Sequence, residues 1–490
     1  MSNRRVLSED RDFLSLVTAA AFANPFGPER DRLDRLILGG RRDGTWRQIV
    51  PDVVREVSTR LARLDEPHPA RLDDFTARDR RLMRYVFLFD VFHRVNLDFD
   101  DLIERQAAAG PEPLTVPFAG RAFESLTHRG FAPDEAWRYF SFFYQIRRAF
   151  HFIDRGLVGQ SPSMQGLRMD LWNNIFTHHV DLFEQVLWDR MEDFSTLLLG
   201  PTGSGKGTAA AAIGRSGFIP YDPKRARFAR SFTEAFVSIN LSQFPETLLE
   251  SELFGHAKGA FTGAVTSRQG LLSLCGRHGA VFLDEIGEIS PATQVKLLQV
   301  LEERTFRPVG SHESCRFHGR VIAATNRDLE QLRRSGTFRE DFYYRLCSDC
   351  IRVPGLKQRL EENPAELEEL ITHVVRWITG RSWPDLVGLV REVIDRRLGP
   401  DYPWPGNVRE LAQCVRRVIL RRDYEGDRPG PRNPLTRLTD ELAAGALSAE
   451  DLLGGYCRLL YDRFGTYQEV ARHTGLDRRT VRRHIHGPGR

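Results

Sequence analysis

Three patterns of hydrophobic and polar residues follow one another along the chain. Up to about residue 155, apolar positions recur at helical spacing. From there to about residue 420, short apolar runs alternate with amphipathic stretches, which is typical of strands and crossover helices in a parallel sheet. A helical pattern resumes at Ser448. The sequence therefore predicts an α/β region between two all-α regions.

The helical N-terminal region is rich in aromatic residues. On the helix that Pro133, Asp134 and Glu135 open, four of them follow at near-helical spacing: Trp137, Phe140, Tyr144 and Phe150. We interpret them as an aromatic-packed core, and a ligand-binding aromatic cage is the alternative. The region contains no phosphate-binding loop and no phosphoacceptor pattern, so we expect a regulatory domain of unknown type.

Composition places the chain among globular proteins, since its 490 residues are 41% hydrophobic and 28% charged. No apolar run reaches the length of a membrane span, and the apolar stretch 13–23 follows three acidic residues, unlike a signal peptide. We expect a cytoplasmic protein that does not enter a membrane. The single CxxC pair, Cys347 and Cys350, has no second ligand pair, so a structural role is favoured over a metal or redox site.

A glycine-rich loop is the first candidate site. The apolar run 194–199 leads into Gly200-Pro-Thr-Gly-Ser-Gly-Lys206 and then into the helix-favouring stretch 208–213. A strand, a glycine-rich turn and a helix N-terminus surround a phosphate with backbone N–H groups, and the lysine reaches the β and γ phosphates. The motif departs from the common pattern because a glycine follows the lysine. The candidate nucleotide-binding residues of this loop are Gly200, Gly203, Gly205, Lys206, Gly207 and Thr208.

Two adjacent carboxylates form the second candidate site. The strand-like run 280–283 ends in Asp284 and Glu285, at the edge where α/β sheets bind ligands. We expect Asp284 to hold Mg²⁺ and Glu285 to orient or deprotonate the attacking water. Both motifs in one α/β segment predict nucleotide hydrolysis.

A third candidate is a loop with one aromatic residue between glycines. It reads Gly259, Ala260, Phe261, Thr262, Gly263 and Ala264. A phenylalanine held between flexible hinges favours burial by a partner, and the alternative is a hairpin whose phenylalanine folds back into its own core. With these residues the chain resembles the central domain of bacterial sigma-54-dependent transcriptional activators, the AAA+ enhancer-binding proteins. The resemblance implies that the loop contacts sigma-54.

The resemblance extends over about residues 157–420 and implies further roles. It implies ATP as the nucleotide, and that Asn240 holds Glu285 until the nucleotide state releases it. Thr325 and Asn326 would be the sensor I pair, and Arg409 the sensor II charge. Two candidate arginine fingers, Arg339 and Arg345, would reach the nucleotide of a neighbouring subunit.

The chain also departs from the family. Gly207 stands where the family carries an acidic residue, which bears on the rate of hydrolysis. Extra residues occur between Gly159 and Gly200 and around 219–229, and we expect both to be surface insertions.

The C-terminal segment has the pattern of a helix-turn-helix. A helix begins at Ser448 with a capping-box-like sequence, and two shorter helices follow around the turn 474–476. Residues 456–490 contain eight arginines against three acidic residues. DNA recognition is favoured, with a solvated basic helix as the alternative. The candidate DNA-binding residues on the last helix are Arg478, Arg479, Thr480, Arg482 and Arg483.

These observations predict a fold class and a domain order. We expect an AAA+ P-loop ATPase with a parallel sheet and a helical lid, between an all-α N-terminal domain and an all-α helix-turn-helix. The expected segments are a regulatory domain (1–155), an α/β core (156–350), a lid (351–423), a linker (424–447) and a DNA-binding domain (448–490).

The resemblance implies a function for the whole. The chain would bind upstream DNA, assemble into a ring that is a hexamer in the family, and use ATP hydrolysis to remodel sigma-54 RNA polymerase holoenzyme and open the promoter. Two alternatives stay open. One is a DNA-binding regulator or scaffold with a degenerate ATPase, and the other is an AAA+ remodeller of a different client.

Overall fold

The computed structural model describes residues 6, 8–40, 46–178, 180–426, 434–443, 445 and 447–486. The chain divides into two compact units, Met1–Asp423 and Tyr424–Arg490. The predicted linker falls partly outside the described residues, at 427–433, 444 and 446, and so does the end of the predicted DNA-binding domain, at 487–490.

The N-terminal region is helical, as predicted. Its main helices within the described residues are α1 (Ser8–Phe22), α2 (Pro28–Ile37), α3 (Trp46–Leu64), α4 (Ala77–Ala109), α5 (Ala119–His128), α6 (Pro133–Gly156) and α7 (Pro162–Phe176). Thr76 caps α4 by accepting a hydrogen bond from the Asp79 N–H at 3.4 Å. On α6, Phe140 and Tyr144 are fully buried against Phe99 of α4. Trp137 and Phe150 are only partly buried.

A five-stranded parallel sheet follows. Its strands are β1 (Thr196–Leu199), β2 (Phe236–Asn240), β3 (Ala280–Asp284), β4 (Arg320–Thr325) and β5 (Asp349–Arg352), in the order β5-β1-β4-β3-β2. The three central strands, β1, β4 and β3, are largely apolar because helices cover both faces of the middle of such a sheet, whereas the edge strands β5 and β2 include exposed polar residues. The register places Leu199 beside Thr325 and Asn240 beside Asp284, so the candidate residues share one edge. The predicted α/β fold class is confirmed.

Further helices cover the sheet and form the predicted lid. The helices between strands are α8 (Lys206–Gly214), α9 (Glu246–Phe254), α10 (Pro291–Glu303), α11 (Leu329–Arg334) and α12 (Glu340–Leu346). After the sheet come α13 (Leu356–Glu362), α14 (Glu366–Thr379), α15 (Pro384–Arg397) and α16 (Asn407–Arg421). Two-residue strand pairs join Tyr221–Asp222 with Arg227–Phe228, Gly255–His256 with Arg268–Gln269, and Thr305–Phe306 with Cys315–Arg316.

The expectation of surface insertions is wrong. Residues 219–229 form a small hairpin whose Ile219 and Phe228 are buried, and Phe228 stacks on Tyr144 with ring centroids 3.9 Å apart. Between Gly159 and Gly200, α7 buries Leu171 and Phe176 against the sheet layer. Both segments carry apolar residues that the N-terminal helices and the α/β core bury together. The spacing of motifs along the sequence does not show this burial.

The C-terminal unit is a small helical body. Its helices are α17 (Pro434–Ala443), α18 (Ala449–Phe464), α19 (Tyr467–Thr474) and α20 (Arg478–His486). Ser448 caps α18 by accepting from the Asp451 N–H at 3.2 Å. Gly475 turns the chain between α19 and α20 with a φ of 71°. Cys457, Val470 and Val481, one from each of the last three helices, form the buried centre.

The helices within the described residues do not support insertion into a membrane. None within the described residues combines the length and the apolar character that crossing a bilayer requires.

Candidate functional site

The glycine-rich loop lies between β1 and α8 and its glycines adopt conformations that other residues avoid. Gly203 and Gly205 have φ angles of 77° and 106°. A Cβ atom on Gly203 would lie 2.3 Å from the carbonyl oxygen of Gly406. Glycine is therefore needed here both for the turn and for the close approach of the lid backbone.

Lys206 is the buried cation of this loop. Its Nζ donates hydrogen bonds to the carbonyl oxygens of Gly200 at 2.8 Å and Pro201 at 3.2 Å. Burial lowers the pKa of Lys206, while the negative charges of Glu285 and Asp284 oppose that shift. The ammonium therefore lies within electrostatic reach of the paired carboxylates, as a phosphate site with Mg²⁺ requires. Gly207 and Thr208 follow in the first turn of α8, and both are exposed.

The paired carboxylates end β3. Glu285 has a φ of 58°, a left-handed conformation that costs a non-glycine residue about 1 kcal/mol or more. Its N–H donates to Asp284 Oδ1 at 3.1 Å, and its Oε2 is buried with no hydrogen-bond partner. A buried carboxylate oxygen without a partner fits a group that binds and activates a water molecule.

The residues at this edge fit an ATP–Mg²⁺ site. Within the described residues there is no cluster of three or more His, Cys, Asp or Glu side chains that could hold a metal by themselves. Mg²⁺ at phosphate-transfer sites needs only one or two carboxylates, because phosphate oxygens and water complete its coordination. Asp284 supplies such a carboxylate beside the loop that would cradle the phosphates.

Asn240 lies at the end of β2, next to Asp284 in register. Its Oδ1 accepts from the N–H of Ser242 at 3.0 Å and from the hydroxyl of Ser242 at 2.8 Å. The side chain therefore caps the following turn, and Glu285 Oε2 stays without a partner. The structure places Asn240 and Glu285 at the same edge of the sheet. The described contacts include no hydrogen bond between their side chains.

The candidate sensor I pair, Thr325 and Asn326, lies at the end of β4 beside the glycine-rich loop. Thr325 is fully buried, and its Oγ1 accepts from the N–H of Arg327 at 3.1 Å. Asn326 donates through Nδ2 to the hydroxyl of Thr202 at 2.6 Å. Asn326 thus contacts the loop directly, which suits a residue that responds to the nucleotide.

The lid contacts the phosphate loop through a residue that sequence reasoning missed. Asn407, the first residue of α16, donates through Nδ2 to the Thr202 carbonyl at 2.9 Å and accepts from the Leu356 N–H at 2.7 Å. The neighbouring Val408 N–H donates to the Gly203 carbonyl at 3.1 Å. Arg409 follows, and its positive charge contributes to lowering the pKa of Lys206. The signal for Asn407 was its place two residues before Arg409, the candidate sensor II arginine.

The two candidate arginine fingers lie away from the phosphate loop of their own chain. Arg339 is exposed and forms a paired contact with the Asp341 carboxylate at 3.0 and 2.7 Å, which raises the pKa of Arg339. Arg345 is half-buried and donates through Nε and Nη2 to the Leu301 carbonyl at 3.1 and 2.8 Å. Arg339 is thus presented to solvent, whereas Arg345 also holds the end of α10.

The loop of Gly259 to Ala264 closes on itself. The Gly259 N–H donates to the Ala264 carbonyl at 2.8 Å, and the Ala264 N–H donates to the Phe261 carbonyl at 3.0 Å. Phe261 is 40% exposed, its ring centroid lies 5.0 Å from that of His256, and Thr262 is exposed. Ala260 packs against Gly310, where a Cβ would lie 2.7 Å away. Phe261 is therefore at the surface, and the alternative of a phenylalanine folded into its own core is wrong.

The candidate DNA-binding residues lie on α20. Arg478, Arg479, Arg482 and Arg483 are exposed, while Val481 faces the centre of the unit. Thr480 differs, because its hydroxyl and its N–H both donate to the Asp477 carboxylate. Thr480 therefore closes the start of the helix, and the four arginines form its solvent face.

The sequence and the structure are similar to those of known proteins. The model of the Sigma-54 interaction domain matches residues 176–352. The Nif-specific regulatory protein of Azotobacter vinelandii is 43% identical over 264 residues, which are 54% of this chain and 44% of that protein. The transcriptional regulatory protein ZraR of Escherichia coli is 35% identical over 334 residues, or 66% of this chain and 67% of that protein.

A solved structure of NtrX from Brucella abortus aligns with a TM-score of 0.40 at 23% identity, covering 74% of this chain and 80% of that one. The chain spans less than half the length of the Nif-specific regulatory protein.

Proposed function

Because this chain belongs to the family of bacterial sigma-54-dependent transcriptional activators, we propose that it is a cytoplasmic ATPase that binds DNA and opens promoters held by sigma-54 RNA polymerase. The observation that carries the proposal is the juxtaposition, on one sheet edge, of Lys206, the Asp284–Glu285 pair and Asn326 around a glycine-rich loop. The same domain exposes Phe261 and Thr262 on a closed loop.

Each residue of the sheet edge has a part in ATP hydrolysis. The loop N–H groups and Lys206 would bind the β and γ phosphates, and Asp284 would hold Mg²⁺, which neutralises charge that develops on the phosphates. The unpaired Oε2 of Glu285 would accept a proton from the attacking water or orient it. Asn326, which is hydrogen-bonded to Thr202, would respond to the presence of the γ phosphate.

The chain offers a path from this site to the exposed loop. From Asn240 at the end of β2 the backbone runs through α9 directly into the strand pair that carries the loop. The helix α10, which begins shortly after Glu285, is tied to α9 by an ion pair between Lys296 and Glu250 at 2.6 Å. A change at Glu285 or Asn240 would therefore move α9, and with it the loop.

Assembly completes the proposed site. Arg339 and Arg345 lie outside the nucleotide site of their own chain, so hydrolysis would need a neighbouring copy, as in a hexameric ring. The exposed arginines of α20 would bind an upstream DNA site. Gly207 favours the second candidate, a DNA-binding scaffold with a degenerate ATPase, which an ATPase measurement on the purified chain distinguishes.

Replacing Phe261 with alanine should separate hydrolysis from promoter opening. Phe261 is exposed, its ring lies beside that of His256, and it is not among the residues at the sheet edge, so ATP turnover should stay within about twofold of the unmodified protein. Loss of a buried aromatic anchor in an interface costs about 2 kcal/mol or more, so open-complex formation on a sigma-54 promoter should fall roughly 30-fold.

The control for that experiment is Val265→Ala, because Val265 is 75% exposed and lies just outside the loop. Permanganate footprinting of the promoter measures opening, and phosphate release measures turnover. If Phe261→Ala lowered both to the same extent, the role of Phe261 as a contact with sigma-54 would be refuted.

Removing the C-terminal unit should abolish DNA binding and spare the ATPase. The unit boundary after Asp423 makes a chain of residues 1–423 the natural truncation. Within the full chain, Arg482→Ala should weaken binding by about 1–3 kcal/mol if it contacts a base. Arg472→Ala is the matched control, since Arg472 is exposed on α19 and paired with Glu469 at 3.0 Å. Electrophoretic mobility shifts give the affinities, and equal losses in both variants would mean that α20 is not the recognition helix.

A further inference from the structure

A large cleft lies among the N-terminal helices and the lid. Its volume is about 1670 Å³, against roughly 300–1,000 Å³ for common small-molecule sites. Aromatic residues form much of its wall, some of them buried and others partly exposed. They include Phe26, Phe92, Phe142 and Phe150. The partly buried Phe150 of α6 therefore belongs to this wall.

Two buried donors on the wall have no acceptor. Trp172 is 6% exposed and Arg168 is 5% exposed, and they lie one turn apart on α7. The Nε1 of Trp172 and the Nε of Arg168 make no hydrogen bond, although Nη2 of Arg168 reaches the carbonyl oxygens of Leu157 and Gly159 at 2.6 Å. Buried donors without partners destabilise the folded chain, so a bound acceptor would stabilise it.

The other charges of the wall are largely balanced. Arg30 bonds Asp34 at 2.9 Å, and Arg147 bonds Asp100 at 2.6 and 2.5 Å. Burial lowers the pKa of His93 to about 3, so this histidine is neutral. Burial also lowers the pKa of the Arg168 guanidinium, against the opposing charges of Asp154 and Glu366. Arg168 is thus a buried cation on the wall that forms no ion pair in the described contacts, and a negative group would stabilise it.

From these observations we infer that the cleft is a binding site for a small organic carboxylate with an apolar body. The aromatic wall would enclose the apolar part, and the carboxylate would accept from Trp172 Nε1 and Arg168 Nε, two atoms that are closed off from the cleft here and would turn toward it on binding. A carboxylate has two acceptor oxygens, one for each unpaired donor. Its negative charge would stabilise the buried guanidinium.

The lid forms part of the cleft wall, so a ligand bound in the cleft would influence the nucleotide site. The lid helix α14 contributes His373 and Arg376 to the wall, and its first residue, Glu366, accepts from the Ser161 N–H at 2.8 Å, beside α7. On α6, the buried Arg148 donates to the carbonyl of Gly217, just beyond the phosphate-loop helix α8. A ligand between α6, α7 and α14 would therefore bias the lid that closes on the phosphate loop. This coupling rests on the proposed ATPase function, whereas the site itself does not.

Binding is measured on the full chain with 8-anilino-1-naphthalenesulfonate, a fluorescent probe with an apolar body and an anionic oxygen group. We expect saturable fluorescence at one site per chain. Octanoate should displace the probe, and octylammonium, which has the same chain and only donors, should not. Displacement by both compounds alike would overturn the carboxylate assignment.

Variants locate the site. Ile146→Trp should fill the cleft and lower probe affinity at least tenfold, and Trp172→Phe should keep the aromatic ring, remove the N–H and weaken octanoate roughly tenfold. Trp383→Phe is the control, because Trp383 is 42% exposed and outside the cleft. Circular dichroism monitors folding, and if Ile146→Trp does not fold, Trp172→Phe decides. Unchanged octanoate affinity in Trp172→Phe would overturn the site.

The proposed coupling between the cleft and the nucleotide site is tested by a separate measurement. Octanoate at saturating concentration should change the protein concentration at which ATP turnover reaches half its maximum by about threefold or more. If octanoate binds in the cleft and this concentration does not move, the coupling is refuted while the site stands. If no ATP turnover exists at all, the proposed function fails, and the probe titration still reports on the site.

Discussion

Lys206→Ala should lower ATP turnover at least 100-fold. The Nζ ammonium is the buried cation closest to the place of the phosphates, and it is held there by two loop carbonyls and by the charges of Asp284 and Glu285. Alanine removes that charge from a site with little water, where one stabilising group is worth roughly 10²–10³ in rate. Phosphate release at saturating ATP measures the effect.

The matched control is Lys224→Ala, because Lys224 is an exposed lysine in the hairpin of residues 219–229. It should leave turnover unchanged. Turnover within tenfold of the unmodified protein in Lys206→Ala would contradict the assignment of this loop as the phosphate site and would favour the scaffold alternative.

Arg339→Ala should also abolish ATP hydrolysis. Mixing this variant with the Lys206→Ala protein should restore turnover. An arginine finger contributes roughly 10³–10⁵ in rate, and Arg339 is exposed and paired only with its neighbour Asp341 in the described contacts. Because the finger acts on an adjacent subunit, mixing Arg339→Ala with Lys206→Ala protein should create interfaces with an intact lysine on one side and an intact arginine on the other. Turnover of the mixture should exceed the sum of the separate variants.

Two controls sharpen this experiment. Arg334→Ala removes an exposed arginine that is paired with Glu330, and it should change nothing. Arg345→Ala should lower turnover and also thermal stability, because Arg345 holds the Leu301 carbonyl at the end of α10. Mixtures that never exceed the separate variants would show that Arg339 does not act between subunits.

Much of the candidate site could be predicted because its determinants are local. A strand, a turn with glycines at positive φ and a helix N-terminus are contiguous in sequence, so their order alone predicted the place of Lys206. The Asp284–Glu285 pair ends a fully apolar strand, and a parallel sheet sends such ends to one edge. The cap at Ser448 is equally local.

The misjudged features depend on distant segments. The hairpin of residues 219–229 was expected to be a surface insertion because its residues are extra relative to the family, yet Phe228 packs on Tyr144 of α6. Asn407 contacts Thr202 across 205 positions of sequence, so no local pattern could show that it touches the phosphate loop. The hold of Asn240 on Glu285 that the family resemblance implies stays a prediction, since Asn240 bonds Ser242 here and Glu285 Oε2 has no partner in the described contacts.

The sequence by itself determined the fold class, the phosphate loop, the acidic pair and the exposed character of the loop around Phe261, because each rests on neighbouring residues and on the periodicity of one element. Only the tertiary structure decided that the N-terminal helices and the core share buried residues, and that Trp172 and Arg168 line a cleft with their donors unpaired. Periodicity shows which face of a helix is buried, but it does not show which other element covers that face or where two elements fail to fill the space between them.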